Sequence, residues 1–390
     1  VQSIWADIAG QASAFRRRLH QSPELTWQEH GTAAAIRQEL DHLGIPWSAC
    51  AGTGTIGRLA PDAPGRHIAL RADIDALPIE EISGRPWASG TPGIMHACGH
   101  DGHTATLLAV ARWLKTVEDR LPGPVTLLFQ PAEEGGHGAR EMIRDGALAG
   151  VDWVFGWHNW PPIAFGRAVC PDGPVMGANG IFEIRLTGSG GHASQPEACR
   201  DPVLAGGAVV QALQQVVSRR IAPQTAAVVS VTTFRAGGAI TAIPDTARLA
   251  GSVRVGRSED RDEVVRHLEQ VARDTATAYG VEAEVEFTPR YHATVNHPEA
   301  AAHYRGAIGR VLGPDWRDRT LALPIMASED FSYYLREVPG AFALIGADDG
   351  EGHHWPCHNP RYDFNDRLID PVGRLFADLV GVPVESGAGR

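Results

Sequence analysis

The sequence predicts an α/β domain interrupted by an α+β domain. Three observations carry this reading. Several short apolar runs read as buried strands, helical segments separate them, and each run ends in a carboxylate or a histidine. Between about residues 179 and 292 the pattern changes to β-α-β-β-α-β, with alternating strands. After that stretch the first pattern resumes. The predicted organisation is residues 1–178 and 293–390 as one domain, with residues 179–292 inserted, and Gly177-Ala178-Asn179-Gly180 as the outgoing hinge.

Taken in order, a helical pattern over 4–20 is ended by Pro23, and a second over 32–43 stops at Gly44. His67-Ile68-Ala69-Leu70-Arg71-Ala72 reads as a buried strand leading into Asp73-Ile74-Asp75-Ala76-Leu77-Pro78. Residues 96–103 then place one thiol, three imidazoles and one carboxylate (Cys98, His96, His100, His103, Asp101) within eight positions. Gly99 and Gly102 let the backbone close around whatever these groups surround. The helix predicted over 104–117 turns Leu107, Leu108, Ala111 and Leu114 to one side and Arg112 and Lys115 to the other. A strand over 124–129 ends in Gln130-Pro131-Ala132-Glu133-Glu134-Gly135, and one over 151–157 ends in His158-Asn159-Trp160-Pro161. A fourth, over 341–345, precedes His353, His354, Cys357 and His358.

The middle reads as strand 181–187, helix 201–219, strands 227–234 and 247–255, helix 258–279 and strand 281–287. Ser258 is the expected N-cap of the second helix, with Glu259 and Asp260 in its first turn. This is the ferredoxin-like order.

Bulk properties narrow the functions. The 390 residues carry a formal charge of −11, which argues against nucleic acid or an anionic membrane as the partner. Hydrophobic residues make up 43%, enough for ordinary cores, and no apolar run nears the roughly 18 residues that span a bilayer. The start of the chain lacks a basic-then-apolar signal pattern, so the expected location is the cytoplasm. Five widely spaced cysteines in a long chain suit a reducing compartment and no disulfide scaffold.

In open α/β sheets, ligands bind beyond the carboxyl ends of the strands. Asp73, Asp75, Glu133, Glu134, His158 and the cluster around Cys98 therefore point to one crevice. Thiolate and neutral imidazole are the usual sulfur and nitrogen ligands of zinc and its neighbours, so one polynuclear metal site is expected. The bland alternative for the cluster is a His-rich surface loop with a buried thiol.

The motifs resemble those of one family. Arg18-Leu19-His20-Gln21-Ser22-Pro23-Glu24-Leu25 comes first, followed by the Asp73, Cys98 and Glu133 stretches quoted above. Gly190-Gly191-His192-Ala193-Ser194, Ser328-Glu329-Asp330-Phe331 and His358-Asn359-Pro360 follow in order, so nearly the whole chain is covered. The chain resembles the amidohydrolase branch of the aminoacylase and carboxypeptidase clan of di-metal peptidases. That branch includes hippurate hydrolases, N-acyl-amino-acid amidohydrolases and plant hydrolases of auxin conjugates.

The resemblance implies a di-metal peptidase-like catalytic domain with an inserted ferredoxin-like α+β lid and dimerisation domain. It implies that Cys98, His100, Glu134, His158 and His358 hold two divalent ions. Cys98 suits zinc, and the mixed ligand set also admits manganese, cobalt or nickel. Cys98 stands about where the wider clan has a bridging Asp, and two cations would strongly depress its pKa. Glu133 matches the catalytic carboxylate. Asp73 falls where the wider clan has a ligand His in a His-x-Asp motif, and Asp75 falls on that motif's Asp. Both are expected to support or orient the site, with Asp75 grouped among the catalytic residues. His192 matches a His that reaches the substrate carbonyl, often from the partner subunit. Relatives read Gly-x-Ala-x-Asn-Val-Ile-Pro where this chain has Gly238-Ala239-Ile240-Thr241-Ala242-Ile243-Pro244, so Thr241 replaces an Asn that contacts substrate.

The expected reaction is hydrolysis of the amide of an N-acyl amino acid, or a related amide, by a metal-activated water. Glu133 serves as base and then acid, and His192 serves as oxyanion donor. The expected assembly is a homodimer or a higher homo-oligomer. A short-peptide hydrolase is the nearest alternative, and a non-catalytic metal- or ligand-binding relative is a further one. A zinc deaminase would need His-x-Glu followed by Pro-Cys-x-x-Cys, and the sequence has neither. His96 and His103 are expected to be structural neighbours of the ligands, Ser328 a helix cap, His20 a packed helical histidine and Cys357 a spectator.

Overall fold

A seven-stranded sheet organises the first part of the molecule. Its spatial order is Trp47–Cys50, Gly54–Leu59, Val125–Gln130, Ile68–Asp73, Trp153–Ala164, Gly340–Asp348 and Ala168–Val169. The four strands from Val125–Gln130 to Gly340–Asp348 run parallel, and the others pair antiparallel. Ile68–Asp73 and Val125–Gln130 are buried at every residue, as expected for parallel strands covered on both faces. The parallel register sets Asp73 opposite Gln130, which brings the carboxyl ends of these two strands level.

The computed structural model describes residues 2–384. Two units divide them. The first comprises the chain up to Val175, Val295–Ala322 and the chain from Asp330 onward. The second comprises Met176–Thr294 and Leu323–Glu329.

In the first unit, helices Gln2–Gln21, His100–Thr116, Pro298–Leu312 and Ile369–Leu379 surround a core that includes Trp5, Leu70, Leu107, Trp113, Phe129, Phe155, Ile308 and Phe376. The helix that follows the Cys98 stretch begins at His100, four residues earlier than its apolar period predicts. Gly99 makes this start possible. It adopts φ +94°, and a Cβ there would come within 2.4 Å of Asn159 Oδ1 and Tyr362 Oη. The amides of Gly102 and His103 bond to the Gly99 carbonyl, so His100, Asp101 and His103 all lie in the first helical turn.

The second unit has a four-stranded antiparallel sheet in the order Ala227–Ala236, Thr246–Val255, Ala178–Thr187 and Glu282–Pro289. Ala178–Thr187 and Thr246–Val255 alternate buried and open residues, so one face is packed and one is open. Helices Pro202–Ala212 and Arg261–Ala278 supply Val209, Leu268 and Ala272 to its own core, which includes Phe182, Ile184, Leu249 and Val253. The expected Ser258 cap is not formed. Ser258 lies in a short 3₁₀ turn, and its hydroxyl accepts the Ala293 amide instead. No helix among the described residues is long and apolar enough to cross a membrane.

Candidate metal centre

Asp75 is the residue around which the site is built. Its Oδ1 accepts the Glu133 amide and its Oδ2 the Glu134 amide, both at 3.0 Å. Thr26 Oγ1 donates to the same Oδ2 at 2.8 Å. One buried carboxylate thus fixes two consecutive backbone amides, and with them the directions of two neighbouring glutamates. His100 Nδ1 lies 2.9 Å from the Asp75 carbonyl oxygen and 3.3 Å from its Oδ1. That contact fixes the ring and turns Nε2 inward. Burial alone would raise the Asp75 carboxyl, but His100, the Glu134 amide and Thr26 hold it below the usual carboxylate range.

The fit to a metal rests on donors left unused. His100 Nε2, 3.4 Å from Asp73 Oδ2, and Glu134 Oε1 are both buried and make no hydrogen bond. Such atoms are costly unless a ligand satisfies them. Cys98 Sγ, His100 Nε2 or Nδ1 and a Glu134 oxygen lie within 4.8 Å of one another, as do donor atoms of Cys98, His158 and Cys357. His158 Nδ1 lies 2.7 Å from the Asn159 carbonyl oxygen, which leaves Nε2 directed at Cys98 Sγ, 3.3 Å away. Burial and then His103 push His158 well below its ordinary value, so its ring is neutral. Burial would lower His100 too, but Asp73 and Asp75 raise it to about 10. Two divalent-metal sites suit this donor set.

His358 completes the group. Its side chain is 52% exposed, and its Nε2 lies 3.2 Å from Glu134 Oε1 without the alignment of a hydrogen bond. Its backbone is left-handed at φ +67°, and its amide donates to the Ala97 carbonyl at 2.7 Å. Ala132 and His137 are left-handed as well, at φ +56° and +60°. Three non-glycine residues in that region around one site mark a backbone over-determined by its surroundings. Glu133 is 6% exposed, and its Oε1 accepts the Asp330 amide at 3.3 Å.

Of the flanking histidines, His96 is buried with neither ring nitrogen hydrogen-bonded. His103 is held on both nitrogens, with Asp73 Oδ1 at 2.6 Å and Asn159 Oδ1 at 2.7 Å. Asp73 is further occupied by Arg71 at 2.7 Å. Burial opposes its ionisation, yet Arg71, His100 and His103 keep it well below the ordinary range. His20 is more than a packed helical residue. It lies 2.8 Å from Asp101 Oδ2, with Arg16 3.5 Å from the same oxygen, which ties the first helix to the turn that carries His100. Ser328 caps no helix, since the next one begins at Ser332.

Three contributors went unread in the sequence: Asp330, Arg71 and Asn159. Asp330 accepts from Arg71 Nη2, from Gln130 Nε2 and from the Ala139 amide, and so braces the strand ends from below. The signal was present, because an arginine inside an otherwise apolar buried strand must have a buried partner. The third is Asn159, whose amide nitrogen donates to Tyr362 Oη at 2.8 Å while its oxygen holds His103.

His192 and Thr241 belong to the second unit. Gly191–His192 pairs with Ala242–Ile243, and the Ala193 amide donates to the Thr241 carbonyl. Gly190 permits this pairing, since a Cβ there would lie 2.4 Å from the Ile243 carbonyl oxygen. Both His192 and Thr241 are exposed. The Ser194 amide donates to His192 Nδ1 at 3.1 Å, so in the neutral ring the proton resides on Nε2.

Comparison with known proteins agrees with this geometry. The model of "Peptidase family M20/M25/M40" matches residues 69–381. The N-acetyl-L-cysteine deacetylase of Bacillus subtilis is 40% identical over 364 residues, covering 92% of this chain and 85% of that protein. The hippurate hydrolase of Campylobacter jejuni is 35% identical, covering 96% of each. The crystal structure of a dinuclear metal-binding M20 peptidase from Bacillus subtilis superposes with a TM-score of 0.82 at 33% identity, covering 96% of this chain and 98% of that one. With the family match spanning most of its length, the chain belongs to peptidase family M20/M25/M40.

Proposed function

We propose that this chain hydrolyses the amide bond of N-acyl amino acids, using two divalent ions held by Cys98, His100, Glu134, His158 and His358. The double clamp of Asp75 on the Glu133 and Glu134 amides carries the reading. It presents two adjacent carboxylates in different roles, Glu134 as ligand and Glu133 as base. The relatives named above for N-acetyl-L-cysteine and hippurate give the substrate class. Five unpaired cysteines suit the cytoplasm.

Ions bound there supply Lewis acidity to the scissile carbonyl and make a water easier to deprotonate. Glu133 takes the proton of the attacking water and returns it to the leaving nitrogen. Asp75 holds both glutamates and the His100 ring in register throughout, so little reorganisation is needed as charge develops. His192 presents an Nε2–H donor suited to the oxyanion.

The inserted unit reads as a ferredoxin-like lid and dimerisation domain. Its strand order and its β-α-β-β-α-β succession support this. Ala227–Ala236 and Glu282–Pro289 are its edge strands, and such edges tend to be paired or covered. A two-fold dimer is the commonest solution. In that dimer His192 serves the site of the partner chain. The test mixes two inactive variants, Glu133→Gln and His192→Ala, by joint unfolding and refolding. Mixed dimers of a shared-site enzyme regain one whole site and measurable activity. Silence from proven mixed dimers would place His192 within its own chain.

The function itself is tested by hydrolysis assays over a panel of N-acyl amino acids and dipeptides, with each metal restored to the apoprotein. Cleavage of dipeptides alone would make the chain a peptidase. On the same panel Thr241→Asn, which restores an amide with more hydrogen-bonding sites than a hydroxyl, re-ranks the substrates. An unchanged ranking would remove Thr241 from substrate recognition.

A further inference from the structure

We infer that Cys357 is a metal ligand, giving the ion between Cys98 and His158 a second sulfur and making that half of the centre thiophilic. The inference rests on the di-metal reading above and adds to it a donor outside the five carried by the family resemblance.

Cys98 Sγ, a His158 ring nitrogen and Cys357 Sγ all lie within 4.8 Å of one another, with Cys98 Sγ 3.3 Å from His158 Nε2. In a tetrahedral zinc-type site, bond lengths of about 2.3 Å to sulfur and 2.0–2.1 Å to nitrogen put neighbouring donors roughly 3.5–3.8 Å apart. The backbone delivers Cys357 to this place by design of the turn. The neighbouring His358 amide is bonded to the Ala97 carbonyl, and His358 is left-handed, so the chain folds back beside Cys98. Cys357 Sγ lies 3.9 Å from the Cys98 carbonyl oxygen. Asn159 Nδ2 donates to Cys357 Sγ at 3.8 Å. Asn159 is itself fixed by His103 and Tyr362, so the donor is aimed.

The two halves then differ in chemistry. Cys98, His158 and Cys357 offer two sulfurs and one nitrogen. Cys98, His100 and Glu134 offer one sulfur, one nitrogen and one oxygen. Soft donors select zinc and cadmium, whereas carboxylate admits manganese. The centre therefore takes a thiophilic ion in one half and tolerates a harder ion in the other.

The experiment titrates Cd²⁺ and, separately, Mn²⁺ into the full chain freed of metal by chelation. Sulfur-to-cadmium charge-transfer absorbance and chelator competition are the readouts. Cys357→Ser keeps the size and exchanges a soft donor for a hard one. It is expected to lose the absorbance of one sulfur–cadmium bond and about tenfold or more in Cd²⁺ affinity at one site. Its Mn²⁺ affinity is expected to stay within about threefold of the wild type. In the wild type, without any substitution, Cd²⁺ is expected to slow alkylation of Cys357 by about tenfold, read by mass spectrometry. A wild type that binds two Cd²⁺ ions while Cys357→Ser matches it in absorbance and affinity overturns the inference and leaves the di-metal reading standing. Cys357 alkylated equally fast with both ions bound does the same. A wild type that fails to bind two ions overturns both.

Discussion

Glu133→Gln is expected to lower kcat by about 10²–10⁴-fold while the chain keeps its fold and both ions. The substitution preserves shape in a pocket where Glu133 is 6% exposed. Its backbone amide stays clamped by Asp75, so the peptide carrying it does not move. What disappears is the capacity to accept a proton from water and return it to the leaving nitrogen. Metal content by elemental analysis and an unchanged melting temperature separate lost chemistry from lost structure. A variant that keeps more than about a tenth of kcat would assign the base to another group.

Cys98→Ala is expected to cost both ions. Cys98 is the one residue common to the Cys98–His158–Cys357 and Cys98–His100–Glu134 groups. Without it both halves lose the donor they share, and metal affinity should fall by more than about 100-fold. Hydrolysis should fall below detection at stoichiometric metal. Stability offers a second readout. An ion that binds only the folded chain stabilises it by mass action, so added metal raises the wild-type melting temperature. The Cys98→Ala melting temperature should not respond. Two ions per chain with unchanged affinity in this variant would show that the thiol is no ligand.

Much of the site was legible because its chemistry sits where strands end. Asp73 and Gln130 end strands whose burial is plain in the sequence, and the parallel sheet brings those ends together; His158 follows an apolar run expected to stop at 157, yet it lies inside Trp153–Ala164. The Cys98 cluster was legible from density alone. What stayed hidden depends on contacts between distant residues. The Asp75 clamp on Glu133 and Glu134 spans 58 and 59 positions, and the bond from Gln130 to Asp330 spans 200. No periodicity encodes such pairs. Local punctuation also misled. The apolar period starts the helix at 104, yet Gly99 adopts the left-handed turn that launches it at His100. Ser258 looks like a cap, yet its hydroxyl holds the Ala293 amide. The helix Pro298–Leu312 is rich in alanine and glycine, and its apolar face did not stand out.

The place of Gly340–Asp348 beside Trp153–Ala164 has a consequence for synthesis on the ribosome. Every strand of the second unit's sheet lies between Ala178 and Pro289, so that sheet is complete in the nascent chain while the first unit still lacks an interior strand. Until Gly340–Asp348 emerges, one edge of Trp153–Ala164 has no neighbour, an exposure of the kind that chaperones cover. His358 comes later still. The metal centre is therefore finished later than the insertion, and a product terminated before Gly340 would carry a complete insertion and no working hydrolase.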